Sequence, residues 1–451
     1  MTTITFKASD VQYWLTHPVV RIIFLAASVC TVFYIAEHDP TMASIENFVI
    51  EIDIQEKWAD GGNPLRRFGF LGCAFLGIVG LLFGRWRDFR PCLPVYMMAA
   101  YVIWCGVSYT WSVDPVTSLR RFILMLCTIL GCVGLTRFFK PIEILYTVVL
   151  ILTTFMISGI GMEILAGAFH PHRGAYRFAG TIHPNSQAAH LSMLCLTLYT
   201  LMKTHPKRNF YFYSLFGFAV IMLILTKSRT ATLAMFVGLG VIWLLSQDDK
   251  RILIFSAFGS WLLAMGIFAV LATGFDPTAE YSDVLLMGRA EETGSSLTGR
   301  LPLWTDLATY IADRPWFGHG FSAFWDARHI YEVSSGQQWT ISEAHSSYVD
   351  ATLQVGLIGC ALMVLTAFST FWWGLSNYRA THETYFLFIV AGVVFVLIRS
   401  FSESGLSDPR GFSSSLFLVV FSHCWQGGKD RSTTPEVPST TATLQPSVSR
   451  S

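Results

Sequence analysis

Chemistry in this chain starts with one histidine and a scatter of arginines. His345 follows Glu343-Ala344 and precedes Ser346-Ser347-Tyr348, where an apolar run of helical length begins. An imidazole at a helix N-terminus meets the positive end of the helix dipole, which disfavours its cation. The expectation is therefore a lowered pKa and a neutral ring, the form a general base needs. A helix-capping histidine would occupy the same place for structural reasons alone. The arginines are Arg120, Arg121, Arg173, Arg177, Arg229, Arg289, Arg300, Arg314 and Arg399, all away from the basic clusters that set topology. Snorkelling to headgroups or a local ion pair accounts for any one of them. Arg229, in the tight turn Lys227-Ser228-Arg229-Thr230, and Arg399 fit that account least well, because apolar runs adjoin them closely. Several guanidinium groups converging on one cavity would suit a pyrophosphate, since the planar fork matches phosphate oxygens and stays charged.

Other residues give weaker signals. His183-Pro184-Asn185 reads as a helix-opening turn. Trp304, Trp316, Trp325 and Trp339 offer flat faces suited to sugar rings, and equally to packing or an interface belt. The acidic stretch 37–60 reads as a solvated surface rather than a metal site. The nine cysteines lie in or beside apolar runs and read as small buried hydrophobes. No P-loop, dinucleotide fingerprint or Gly-x-Ser-x-Gly is present, so no cofactor or metal is expected.

The elements that must position these residues are membrane helices. The chain has 451 residues, of which 53% are hydrophobic and 14% charged; mean hydropathy is +0.49. Soluble domains carry about 25% charged residues, so lipid must be the solvent for much of this chain. The net charge of +1 leaves no nucleic-acid footprint. Taking ~20 apolar residues per span, twelve spans are predicted at 18–36, 67–84, 92–108, 122–139, 142–163, 186–202, 210–226, 230–246, 252–274, 347–373, 384–400 and 408–425. Residues 1–18 lack an apolar core, so no cleaved signal peptide is expected. Compact basic clusters recur in alternate loops: Arg85, Arg87 and Arg90; Arg137 and Lys140; Lys203, Lys207 and Arg208; Lys250 and Arg251; Arg379. The positive-inside rule makes that side cytoplasmic, together with both termini. The predicted organisation is residues 1–274 as nine spans, 275–346 as a long outer loop with short helices, 347–425 as three spans, and 426–451 as a disordered cytoplasmic tail.

Several runs together carry a resemblance. They are Trp111-Ser112-Val113-Asp114-Pro115, Gly180-Thr181-Ile182-His183-Pro184-Asn185 and Ser228-Arg229-Thr230. Then come Thr298-Gly299-Arg300-Leu301-Pro302-Leu303-Trp304, Arg314-Pro315-Trp316-Phe317-Gly318-His319-Gly320-Phe321, Ala344-His345 with Tyr348, and Gly356-Leu357-Ile358-Gly359. In this order, with the long loop outside, they resemble the O-antigen ligase and polymerase superfamily over roughly residues 100–400.

The resemblance implies an all-α polytopic fold, glycosyltransferase class C-like, in the bacterial inner membrane with its active site facing the periplasm. It implies a metal-independent transferase that takes glycan from undecaprenyl pyrophosphate. His345 would be the base on the acceptor hydroxyl. Arg300, Arg229 and Arg177 would hold the pyrophosphate. From the residues themselves, Arg120, Asn185, His183, Arg399 and Tyr348 are candidates for support, and Trp304, Trp316 and Trp339 for sugar contact. Polymerases pass the glycan to another lipid-linked repeat unit and ligases to lipid A-core, and a chain-length regulator is a further candidate partner. The ligase spacing from histidine to glycine is met by His345 and Gly356, but Trp304 stands where a ligase has leucine, Ser346 where asparagine is usual, and Gln354 where an acid is common. Polymerase is the first reading and ligase the second. A lipid-linked sugar flippase is the third; it would need charges along a path through the bilayer, whereas here they collect at one face.

Overall fold

The computed structural model describes residues 64–83, 92–174, 176–205, 209–247, 300–336 and 341–406. Among them the regular structure is helical, without strands. The helices are α1 (Pro64–Phe83), α2 (Leu93–Val107), α3 (Pro115–Phe138), α4 (Pro141–Leu165), α5 (Pro184–Thr204), α6 (Asn209–Leu225), α7 (Arg229–Leu245), α8 (Arg300–Asp313), α9 (Ala327–Ser335), α10 (Ser347–Thr381) and α11 (Thr384–Arg399), with a 3-10 turn at Ser108–Trp111. Nine of the twelve predicted spans fall on helices. The spans at 18–36, 252–274 and 408–425, the tail 426–451, Arg289 and Trp339 lie outside the described residues. Among the described residues, four segments are long and apolar enough to cross a membrane: Leu93–Trp111, Pro115–Gly134, Pro141–Leu165 and Ser347–Thr381.

Helix starts follow from local chemistry. Proline opens α3, α4 and α5, where its missing N–H costs nothing and its fixed φ suits the first turn. Asp114 caps α3, accepting from the N–H groups of Val116 and Thr117 at 3.1 Å each. That accounts for the Asp-Pro of the first run.

α5 is the central helix, packed against α4, α6, α7 and α11. It carries Gln187, His190, Ser192, Thr197 and Thr200, all buried. Such a helix is too polar to face lipid, and burial among four neighbours resolves the conflict. Its apolar residues Leu194, Leu196, Leu198 and Leu201 join Phe155 and Met156 of α4 and Phe388 and Phe395 of α11 in the main core.

α10 is broken at Gly356, which has φ 71° and ψ −179°. A helix break strands backbone donors and acceptors. Here the loop after α8 fills the gap. His319 N donates to the Leu353 carbonyl, Gly320 N to the Gln354 carbonyl, and Leu357 N to the Pro315 carbonyl, each at 2.8 Å. The Trp104 indole N–H takes the Val355 carbonyl at 2.8 Å. A Cβ on Gly356 would lie 2.1 Å from the Trp316 carbonyl oxygen, so glycine is required there both by φ and by space. The Trp316–Phe321 run is thus a backbone plug for α10. The side-chain oxygen of Gln354 accepts from Ser322 N at 3.1 Å, a role that needs an acceptor and no charge.

Candidate functional site

Two chain segments meet at the start of α10. Ser347 N donates to the carbonyls of Ser400 and Glu403, at 2.9 and 3.1 Å. The Ser347 hydroxyl donates to the Glu403 carbonyl at 2.8 Å, and the Tyr348 hydroxyl to that of Leu397 at 2.8 Å. Ser346 Oγ adds a contact to the Ser400 carbonyl at 3.3 Å. These bonds lay the segment after α11 across the α10 N-terminus and bring Glu403 beside His345.

The backbone just before His345 is held on both sides. Ala344 N reaches both oxygens of the buried Asp350 carboxylate at 3.2 Å, and the Ala344 carbonyl accepts from the Trp304 indole at 2.9 Å. Trp325 completes the brace, its indole donating to Asp350 at 2.7 Å. His345 itself has φ 50°, a left-handed conformation uncommon for a residue with a Cβ, though histidine adopts it more readily than most.

Around the imidazole sit charged groups from several elements. Glu343 Oε1 lies 3.0 Å from His345 Nδ1. The donor atoms of Glu343, His345 and Glu403 lie within 4.8 Å of one another. Glu403 is in turn 3.6 Å from an Arg300 guanidinium nitrogen and accepts from the Asn185 amide at 2.7 Å. Asn185 Oδ1 accepts from Arg177 at 2.8 Å, whose Nε donates to the Thr226 carbonyl at 3.0 Å. Arg399, buried at the end of α11, reaches the Asn185 carbonyl at 3.4 Å. A cation at the three donor atoms would compete with the Glu343, Asn185 and Arg300 contacts. Three guanidinium groups, Arg300, Arg177 and Arg399, stand among the Glu343, Glu403 and Asp350 carboxyl groups, which gives the cluster cationic forks for an anionic ligand.

The pKa expectation for His345 needs correction. Burial does press it down, but the Glu343 carboxylate, by charge and hydrogen bond, and Glu403 more than offset that and the opposing Arg300 charge, leaving it raised above its ordinary value. The helix-dipole argument fails because a carboxylate two residues away outweighs a partial charge. Glu403 is raised by burial, with Arg399 opposing and Glu343 adding. His183, whose surface stays accessible, is pushed down by partial loss of hydration and by the Arg177 charge.

The structure brings together His345, Arg300, Arg177, Arg399, Asn185 and His183, the last through its electrostatic coupling to Arg177, Glu343, His345 and Arg399. His183 is also the α5 cap, its Nδ1 accepting from Asn185 N at 3.3 Å. Arg229 opens α7, three residues after the Thr226 carbonyl that holds Arg177. Tyr348 ties α10 to α11. Arg120 lies exposed on the first turns of α3, close enough to Asp114 to help lower its pKa, after burial, which opposes, and the Thr117 and Val116 bonds. Trp316 is exposed at the plug, and the Trp304 N–H is engaged by Ala344. Reading the sequence missed Glu403, Asp350 and the role of Glu343. A signal for Glu403 existed: the polar Ser402-Glu403-Ser404 follows at once on an arginine that ends an apolar run.

Residues 212–364 match the family described as O-antigen ligase (Wzy_C). Over 394 aligned residues the chain is 25% identical to the exopolysaccharide production protein ExoQ of Rhizobium meliloti (strain 1021), covering 79% of this chain and 85% of that one. Together they support membership of the O-antigen ligase and polymerase family. An uncharacterized protein of Haemophilus influenzae is 22% identical over 248 residues, covering 50% of this chain and 60% of that protein. The apolar helices suggest a multi-pass membrane protein, and the family that the chain resembles implies a glycan-transferring enzyme. The family match spans α7, α8, the plug, His345 and the break in α10, so it runs through three of the segments that build the charged cluster.

Proposed function

We propose that the chain polymerises undecaprenyl-pyrophosphate-linked oligosaccharide repeat units at the periplasmic face of the inner membrane. The observation that carries this reading is the convergence of His345 with Arg300, Arg177 and Arg399 around Asn185 and Glu403. The likeness to an exopolysaccharide production protein favours chain growth over ligation.

In the proposed reaction the acceptor hydroxyl oxygen attacks the anomeric carbon of the donor. The carbon–oxygen bond to the diphosphate breaks, and its electron pair leaves with undecaprenyl diphosphate. The hydroxyl proton passes to His345, and the arginines stabilise the charge gathering on the leaving phosphate. Diphosphate leaves readily, so one base and two or three arginines suffice without a protonating acid. A single displacement inverts the anomeric centre. Retention of configuration in the product linkage, read by NMR, would overturn that step.

The family described as O-antigen ligase supports a second reading, transfer to lipid A-core. A deletion strain separates the two. Accumulated single lipid-linked units mean polymerase; long glycan on the carrier with bare core means ligase. Polymer and core both unchanged would exclude both.

A further inference from the structure

The proposed mechanism asks one nitrogen of His345 to receive a proton, and the structure bears on which one. Glu343 Oε1 stands 3.0 Å from Nδ1. A carboxylate on Nδ1 favours the tautomer with the proton there, so the lone pair sits on Nε2. The same carboxylate stabilises the imidazolium that forms when Nε2 takes up the acceptor's proton. The ring's mount is rigid, because Ala344 between the two residues is clamped by Asp350 and Trp304. A left-handed backbone at His345 then folds its side chain back to that of Glu343.

We infer that Glu343 is the positioning residue for His345, fixing its tautomer and its orientation toward the acceptor hydroxyl. This rests on His345 being the base. Glu403, the other carboxylate nearby, is committed elsewhere: its Oε1 accepts from Asn185 and faces Arg300. The two acids thus divide the work, Glu343 serving the imidazole and Glu403 the guanidinium side. Burial lowers the His345 pKa, Glu343 and Glu403 raise it and Arg300 lowers it; His183 also faces it. Removing the Glu343 charge moves the His345 pKa down, so the acid limb of the rate profile shifts to lower pH while the weaker base slows the plateau.

The test uses the full-length protein in proteoliposomes, with lipid-linked glycan extracted from the deletion strain as both donor and acceptor. Rates are measured across pH for wild type, His345→Ala, Glu343→Gln and Glu343→Asp, with thermal unfolding in detergent as the check on folding. Glu343→Gln is expected to lower kcat about a hundredfold with KM little changed, and to shift the acid limb to lower pH; Glu343→Asp recovers part of both. If Glu343→Gln keeps the wild-type kcat and limb while His345→Ala is inactive, the inference is wrong and the base assignment stands. If His345→Ala is active, the base assignment itself falls. A Glu343→Gln protein that loses kcat with no movement of the limb would mark Glu343 as structural and overturn the inference. So would wild-type activity lost to a chelator and restored by a divalent cation.

Discussion

Two imidazole–carboxylate pairs lie among the described residues, and they are alike in distance and in exposure. His345 Nδ1 is 3.0 Å from Glu343, with side chains 20% and 42% exposed. His329 Nδ1 is 2.8 Å from Asp326, with side chains 13% and 33% exposed. What surrounds them differs. His329 stands among rings, with Phe324 at 4.6 Å, Tyr310 at 5.6 Å and His319 at 6.3 Å between centroids. Asp326 also accepts from His329 N at 2.7 Å, so the pair is the N-cap of α9. His345 stands on a left-handed backbone among Arg300, Glu403 and His183. A pair geometry is therefore no sign of chemistry by itself. The charge that reaches the pair from distant segments decides its role.

The strongest way to break the comparison is to delete both rings. His345→Ala should abolish chain growth, a loss of about 10²- to 10⁴-fold, with the protein still present in membranes. His329→Ala should leave the transfer rate of folded protein within about twofold, because removing a ring packed among Phe324, Tyr310 and His319 acts on stability. Equal losses in the two variants, measured in vesicles at matched protein levels, would erase the distinction.

The next test concerns the guanidinium side. Arg300→Lys keeps the charge and the contact to Glu403 but cannot fork onto two phosphate oxygens. The rate should fall at least about tenfold, some 1.4 kcal/mol of transition-state stabilisation, and full complementation of a deletion strain would make Arg300 structural. Glu403→Gln should instead show itself in stability. It removes a buried carboxylate charge that the fold disfavours despite Arg399, while keeping an acceptor for Asn185, so the unfolding temperature should hold or rise. Thermal unfolding reads this directly.

Acidity sharpens the contrast more gently. The raised His345 pKa means that the base is protonated, and idle, to a higher pH than an ordinary imidazole. Transfer should therefore rise with pH through a midpoint above 6.5, and Glu343→Gln should move that midpoint down.

Much of this was legible in the residues, and the failures have a common cause. Apolar length marked the helices well, since nine predicted spans coincide with helices among the described residues. His345 stood out because a histidine opening an apolar run asks for a reason; Arg300 and Arg177 were assigned through the resemblance of the runs around them, and Asn185 lay in one of those runs. The His345–Gly356 spacing was visible, yet its meaning was not: Gly356 breaks α10 and takes the 315–320 loop into the gap, a contact between segments far apart in the chain. Glu403 and Asp350 were missed for the same reason. Each matters through a partner that folding supplies, Asn185 and Arg300 for one, Ala344 and Trp325 for the other. The pKa of His345 was given the wrong sign because the dipole argument used only the residue's own helix. Periodicity reveals a face, but only the fold reveals who shares it.

The smallest effect is the one that completes the comparison. Asp326→Ala removes the α9 cap and the His329 partner together. Loss of an N-cap acceptor costs about 1 kcal/mol, so the unfolding temperature should drop by a few degrees at most. Asp326→Asn keeps the acceptor and should recover nearly all of that loss, because asparagine caps as well as aspartate. Neither change should move the acid limb of transfer, since Asp326 is not among the groups that set the His345 pKa. At Glu343 the opposite pattern is expected: the amide fails and the shorter acid partly succeeds. A carboxylate needed for its shape tolerates an amide; a carboxylate needed for its charge does not. Should Asp326→Asn shift the limb as Glu343→Gln does, the ring-lined pair would be coupled to transfer, and the division between a capping pair and a proton-handling pair would collapse.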